Sequence, residues 1–551
     1  MKRARSERRT NVAVDLWSTA AVLTLCALLA ACTHVSQSTG AAQSNAWTVP
    51  GVVRLSVNTD VNSFNPVISK LYVENYIDEA IFSGLVKYDS SGALIGDLAE
   101  AAPSLSNGGI SRDGLTVTYH LRRAATWQDG VPVTSADVKF TYDLIMNPAV
   151  ASPVQSTYSR IASIGTPDAH TVVLHLTKPF APLLSQVFCN GAFGQIVPMH
   201  VLGRSRDVNR DPFNAQPVGS GPYRLVRWDR GSSIVLRANP NYFGGAPRVR
   251  EIDIQITSNQ NTQLLSVEAH QLDVATQMRT SQAPVVRRIP GIKLIVAPTY
   301  LLDALSLNIT HPPLDDVRVR RALAMALDRP KIARDAFTGF ALPAQTFIPP
   351  FNWAYDPNNG APPFDIAAAR RLLDEAGWMP GPDGIRVKGG RRLSLGLLHY
   401  DSTTAAAIAE QVEQEWRVVG VEGVLRAAPR NVVIGTIAPS GNFDVIAGGA
   451  GYDADPDRSQ FQETQFREPH GFNDARYSDP DLDRWTEQAL QTYDRARRKQ
   501  LYALIQRRLN RDVPWIPIAW EQFVFAVNAD LHGFKPETVN SDFWNVQDWT
   551  I

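Results

Sequence analysis

The chain reads as a mixed α/β protein built in several layers. Three observations predict this. Segments with period-two alternation recur along the 551 residues. They are interleaved irregularly with stretches of helical period. Each helical stretch carries its own start and stop signals. No internal repeat organises them, and a basic, then apolar leader precedes them all.

The leader comes first. Lys2, Arg3, Arg5, Arg8 and Arg9 crowd the start, and an apolar run of 16 residues extends from Leu16 to Ala31. A spanning helix needs about 20. The run closes in Leu29-Ala30-Ala31-Cys32. Small residues there let a signal peptidase reach the backbone, and the cysteine thiol takes a diacylglycerol. Residues 1–31 are therefore expected to be a lipoprotein signal, and Cys32 the lipidated terminus. Residues 32–47, rich in Ser, Thr, Gln, Ala and Asn, read as a flexible tether with a reach of about 20 Å.

Strands are expected at Val52–Val57, Leu115–Arg122, His170–Leu176, Tyr223–Trp228, Ile234–Ala238 and Glu251–Ile256. In the last, Ile252, Ile254 and Ile256 share one face. Helices are punctuated clearly. Thr134 with Asp137 makes a capping box, Val138, Tyr142 and Ile145 form the stripe behind it, and Asn147-Pro148 stops it. Asp365 caps a helix with Ile366, Ala369, Leu373 and Ala376 on one face, and Gly377 ends it. Ile408, Val412, Trp416 and Val419 form a stripe closed by Gly420. Asp479-Pro480 opens a helix with Leu482, Trp485 and Ala489 inward, and Leu501, Leu504, Ile505 and Leu509 mark another.

Composition excludes several function classes. The chain carries 54 basic and 54 acidic residues. The leader takes five basic and two acidic ones, leaving a net charge of −3. That balance gives no reason to expect nucleic-acid binding. No apolar run of spanning length follows the leader. Of the three cysteines, Cys26 leaves with the leader and Cys32 is the lipid site, so Cys189 stands alone beside Phe188 as a small buried apolar residue. The sequence has no His-Glu-x-x-His, paired Cys-x-x-Cys, Gly-x-Ser-x-Gly or Walker loop. Gly219-Ser220-Gly221-Pro222 is a turn into a strand, since Pro222 removes a donor that a phosphate cradle needs. The ten histidines lack metal-ligand spacing. No enzyme activity, metal or cofactor is expected.

The segment Thr126 to Val138, Thr-Trp-Gln-Asp-Gly-Val-Pro-Val-Thr-Ser-Ala-Asp-Val, resembles a signature of ABC-transporter solute-binding proteins of the peptide and nickel group, family 5. Val218-Gly219-Ser220-Gly221-Pro222-Tyr223 and Asn239-Pro240-Asn241-Tyr242-Phe243 follow in the family's order. So do Asp316 to Leu323 running on to Leu327-Asp328-Arg329, Phe364-Asp365 through Trp378, and Asp512 to Pro517. The local roles of these motifs are structural. Asp129-Gly130 makes a turn, and Arg318, Arg320 and Asp328 are read as ion-pairing or capping residues on one short helix.

The resemblance implies a two-lobed, periplasmic-binding-protein-like α/β fold with an extra domain on the first lobe. Lobe I takes residues 48–88, 190–300 and 520–551, the extra domain 89–189, and lobe II 301–519. The crossings fall near Tyr300–Asn308 and Pro517–Val527 and make a hinge. With the lipid anchor read from the leader, it further implies a monomer of the cell envelope, periplasmic or at the outer face of the cytoplasmic membrane, that hands an oligopeptide-like solute to ABC permease subunits. Alternatives are a non-peptide solute such as an oligosaccharide, opine or metal chelate, or a ligand sensor; a secreted hydrolase lacks its motifs. In peptide-binding relatives an aspartate four residues before a proline pairs with the ligand's amine. Here that position is Tyr452, in Gly449-Ala450-Gly451-Tyr452-Asp453-Ala454-Asp455-Pro456. Either Asp453 or Asp455 has taken over the amine, or the ligand has none there. The resemblance places Gly449 and Gly451 at the same wall, His399 at the ligand's carboxylate end, and Lys70, Leu71 and Tyr72 on lobe I.

Overall fold

The structure, a computed structural model, describes residues 44–89, 92–191, 194–467, 471–536 and 542–551. The expected signal, Cys32 and most of the expected tether lie outside the described residues. Trp47–Ile551 form one compact unit, and all that follows concerns it.

An eleven-stranded sheet runs through this unit. Its strands in chain order are β1 (Val52–Val57), β2 (Tyr223–Asp229), β3 (Ser233–Ala238), β4 (Glu251–Ile256), β5 (Val274–Met278), β6 (Ile292–Leu307), β7 (Ala341–Pro343), β8 (Ser394–Tyr400), β9 (Glu422–Ala428), β10 (Val445–Gly451) and β11 (Trp515–Asn528). The spatial order is β9-β8-β10-β6-β11-β5-β1-β4-β3-β2, with β7 on β11. The strand expected at Val52–Val57 is present as β1, and it lies in the interior of the sheet, parallel to both β4 and β5.

The long antiparallel strands β6 and β11 form the axis. Their register breaks between Pro298 and Leu302. On one side of the break, Phe525 and Val527 pack with Val53, Leu55, Ile252 and Ile254. On the other, Leu305, Leu307, Ile516 and Ile518 pack with Leu395, Leu397, Val412 and Trp416 in a separate core. Two strands thus pass between two cores, and the molecule has two lobes. The stretches read from the sequence as crossings, Tyr300–Asn308 and Pro517–Val527, run along these strands, with Asn308 just past the end of β6.

A three-stranded sheet, Thr116–His120, Thr171–Leu176 and Ile161–Asp168, flanks the first lobe. The helix Ser135–Met146 accompanies it, and its predicted box is present: Thr134 N donates to Asp137 Oδ2 at 2.8 Å. Val117, Trp127 and Val138 are buried in continuity with the first core. Asp365 Oδ1 accepts from Ala368 N at 2.8 Å, and Gly377 and Gly420 close their helices at φ of +84° and +85°.

The Gly219–Pro222 turn packs beneath the end of the helix Tyr72–Ile81, which the sequence reading did not identify. A Cβ on Gly219 would fall 1.9 Å from the Ile81 carbonyl oxygen, and Gly221 N donates to that oxygen at 2.8 Å. The turn is therefore a close backbone contact. One assignment needs correction: Arg318 and Arg320 lie on the helix Val317–Met325, but Asp328 caps the next helix, accepting from Lys331 N at 3.1 Å. Cys189 is fully buried, and burial pushes its thiol well up.

Candidate functional site

A cavity of about 700 Å³ lies where the lobes face each other across the β6–β11 break. Such a volume suits a small solute. The hinge residues Pro298 to Leu301 form its floor. Two hydrogen bonds fill the gap left by the lost register: Thr299 Oγ1 donates to the Glu521 carbonyl at 2.9 Å and accepts from Leu301 N at 3.1 Å. Tyr452 N donates to the Tyr300 carbonyl at 3.0 Å, tying the end of β10 to the hinge.

The lobe II wall is built by removing side chains. On β10, a Cβ at Gly448 would sit 2.5 Å from the Tyr400 ring, and one at Gly449 3.0 Å from Asp303 Oδ1. Side chains of the neighbouring strands therefore lie across a bare backbone. Gly451 lines the main cavity; Gly449 lines a smaller one beside it.

The strand ends at Gly451, and this decides where the next residues point. Strict alternation would turn Tyr452 and Asp453 to opposite faces. Instead Arg458, itself buried, folds the segment back. Its guanidinium donates to the carbonyls of Asp455 at 2.8 Å and Asp457 at 2.6 Å, and packs over the Tyr452 ring at 4.2 Å. Tyr452 and Asp453 then both line the main cavity. Burial raises the Tyr452 phenol to about 12, so it stays neutral. Asp453 is open to the cavity, with Gln186 Nε2 at 3.5 Å from its Oδ2. Crowding by the surrounding protein raises its carboxyl above the usual range, against the opposing pull of Arg458.

Asp455 is used differently. It makes a two-point ion pair with Arg498, at 2.7 and 2.8 Å, with both side chains 8% exposed. This corrects the expectation that it faces a ligand amine: its oxygens already hold a cation.

On lobe I, Lys70 and Tyr72 line the cavity. Glu74 positions them, since its Oε2 accepts from the backbone N–H of Lys70 at 2.6 Å and of Leu71 at 2.8 Å. Leu71 packs against the first core instead. His399 is also corrected. It shares a face of β8 with Leu395 and Leu397, toward the helical core, and its Nδ1 lies 2.9 Å from the Tyr400 carbonyl. The next residue, Tyr400, is the one that lines cavities.

Several lining residues escaped the sequence reading. Gln277 enters the cavity at φ +47°, inside a register break between β5 and β11. Asp542 is 3% exposed yet lines the cavity, and among the described residues no donor reaches its Oδ2. Burial pushes its carboxyl up to about 7. A second cavity of about 750 Å³ adjoins the first at Ser185 and Tyr300, and carries the rings of Phe351, Trp353 and Tyr493. Among the described residues no helix is long and apolar enough to cross a membrane.

Comparison with known proteins agrees with the two-lobed fold. The family model described as bacterial extracellular solute-binding proteins, family 5 middle, matches residues 93–473. Protein XP55 of Streptomyces lividans is 29% identical over 517 residues, spanning 93% of this chain and 90% of that protein. The glutathione-binding protein GsiB of Escherichia coli (strain K12) is 27% identical over 496 residues, spanning 88% and 92%. The crystal structure of NikZ from Campylobacter jejuni in complex with Ni(L-His) superposes with a TM-score of 0.74 at 25% identity, covering 92% of this chain and all of that one.

Proposed function

The chain belongs to the bacterial extracellular solute-binding proteins of family 5, and on that premise we propose that it captures an oligopeptide-like solute in the interlobe cavity for an ABC import permease. The observation that carries this reading is Asp453: a carboxyl turned into a cavity walled by both lobes, with Gln186 Nε2 at a long 3.5 Å. A peptide amine buried without a counter-charge is costly, and Asp453 supplies one where Tyr452 does not. The name of the relative GsiB points the same way, since glutathione is a small peptide with a free amine.

A second reading, a non-peptide solute such as an oligosaccharide, opine or metal chelate, draws support from the neutral Tyr452. In either case residues 48–88, 190–300 and 520–551 act as lobe I, 89–189 as its extra domain and 301–519 as lobe II. The monomer hangs by lipid on Cys32 and the 32–47 tether at the outer face of a membrane.

Native mass spectrometry of the envelope-extracted protein tests the anchor and the ligand together. The expected terminus is a multiply acylated Cys32, because one chain alone anchors weakly. Denaturation should release a peptide-sized solute with a free amine. An unlipidated terminus elsewhere contradicts the anchor, and a released solute without a free amine contradicts the peptide reading.

A further inference from the structure

Two carboxyl groups stand apart from the residues assigned above. Asp303 on β6 and Glu521 on β11 line a smaller cavity of about 300 Å³, which meets the interlobe cavity at Leu301 and Gly451. Asp303 is 5% exposed, and among the described residues no donor reaches its Oδ2. The space for this carboxyl is the side chain that Gly449 lacks. Ser402, Thr404, Tyr400 and Arg430 complete the polar wall. The Arg430 guanidinium stays with the Tyr400 ring, 5.7 Å from its centroid.

Burial, and then the neighbouring Glu521, holds the Asp303 carboxyl well above the usual range. Burial also raises Glu521, while its hydrogen bond from Asp303 acts in the opposite direction. Adjacent carboxyls in a dry site do not both ionise. The pair shares one proton, and the deeper burial of Asp303, against the half-buried Glu521, places that proton on Asp303 and the charge on Glu521. A buried negative charge beside open space is stabilised by a cation placed in that space.

We propose that Asp303 and Glu521 form a receptor for a cationic group of the ligand, the ammonium or guanidinium of a side chain, beside the main cavity. Glu521 is the charge that binds, and Asp303 positions it by hydrogen bonding. The proposal rests on the interlobe cavity being the solute site, because the smaller cavity opens from it.

The test uses the processed full chain carrying Asp453→Asn, which removes the other carboxyl assigned to an amine and serves as the parent here, and two small probes, n-butylammonium and its uncharged twin n-butanol, titrated by NMR. The ammonium is expected to bind the parent at least about tenfold more tightly than the alcohol. Glu521→Gln should abolish that preference. Asp303→Asn, whose amide still donates to Glu521 and leaves the net charge unchanged, should retain it. Equal binding of the two probes to the parent, including no binding of either, overturns the proposal. So does a preference that survives in Glu521→Gln. The parent comparison stands even where a variant fails to fold. Binding of tri-alanine to the unsubstituted chain is measured alongside. Its absence counts against the peptide reading, whereas the ammonium preference reports on the carboxyl pair alone.

Discussion

Asp455→Asn should lower the stability of the ligand-free protein by about 3–5 kcal/mol, the usual consequence of stripping one partner from a buried ion pair. Asp455 and Arg498 are each 8% exposed and joined by two short contacts. Arg498 Nε also donates to the Ala489 carbonyl at 2.9 Å, and its guanidinium lies 5.4 Å from the Trp353 ring centroid. With the carboxylate gone, the guanidinium remains buried and uncompensated. The double variant Asp455→Leu/Arg498→Met should recover most of the loss, since well-packed apolar replacement of a buried pair is often neutral. Urea unfolding measures both. A change below about 1 kcal/mol in Asp455→Asn would show that the pair is not the buried brace described here.

Asp453→Asn should act on binding and leave stability nearly unchanged. For tri-alanine with its free amine, affinity should fall by about 2–5 kcal/mol, the range for removing one partner of a desolvated charge pair. N-acetyl-tri-alanine should bind the parent about as weakly as the free peptide binds the variant. Calorimetry with the two peptides separates the readings. If the acetylated peptide binds the parent as well as the free one, and Asp453→Asn matches the parent, Asp453 is not the amine partner and a solute without a free amine is favoured.

The fold was largely legible because its signals are local. The Thr134–Asp137 box, the Asp365 cap, and the turns at Gly377 and Gly420 lie within a few residues of what they control, and all four stand in the structure. The site was less legible because it depends on where a strand stops. Period two correctly separates Tyr400 from its neighbour, but sequence position alone suggested His399 for the cavity. Whether Asp453 points inward depends on Arg458 gripping three carbonyls, and Asp455 and Asp453 look alike until Arg498 is placed beside one of them. Asp303, Glu521 and Asp542 are brought near the cavities by strand pairing and chain return over more than 200 residues. Nothing local marks them. Gly449 held a clue: a glycine within a strand often signals the close approach of something else, here the Asp303 carboxyl.

The central claim is that a solute bridges the two lobes across the break in β6 and β11. Contacts made to both lobes favour the state in which the lobes approach, so binding and closure are linked. Small-angle X-ray scattering of the processed protein, alone and saturated with the solute released in the mass-spectrometry experiment, tests this most directly. The expected result is a smaller radius of gyration at saturation, together with a stability gain of about 2.7 kcal/mol at 100 times the dissociation constant. A scattering profile that does not change while the solute is demonstrably bound would contradict closure about this hinge.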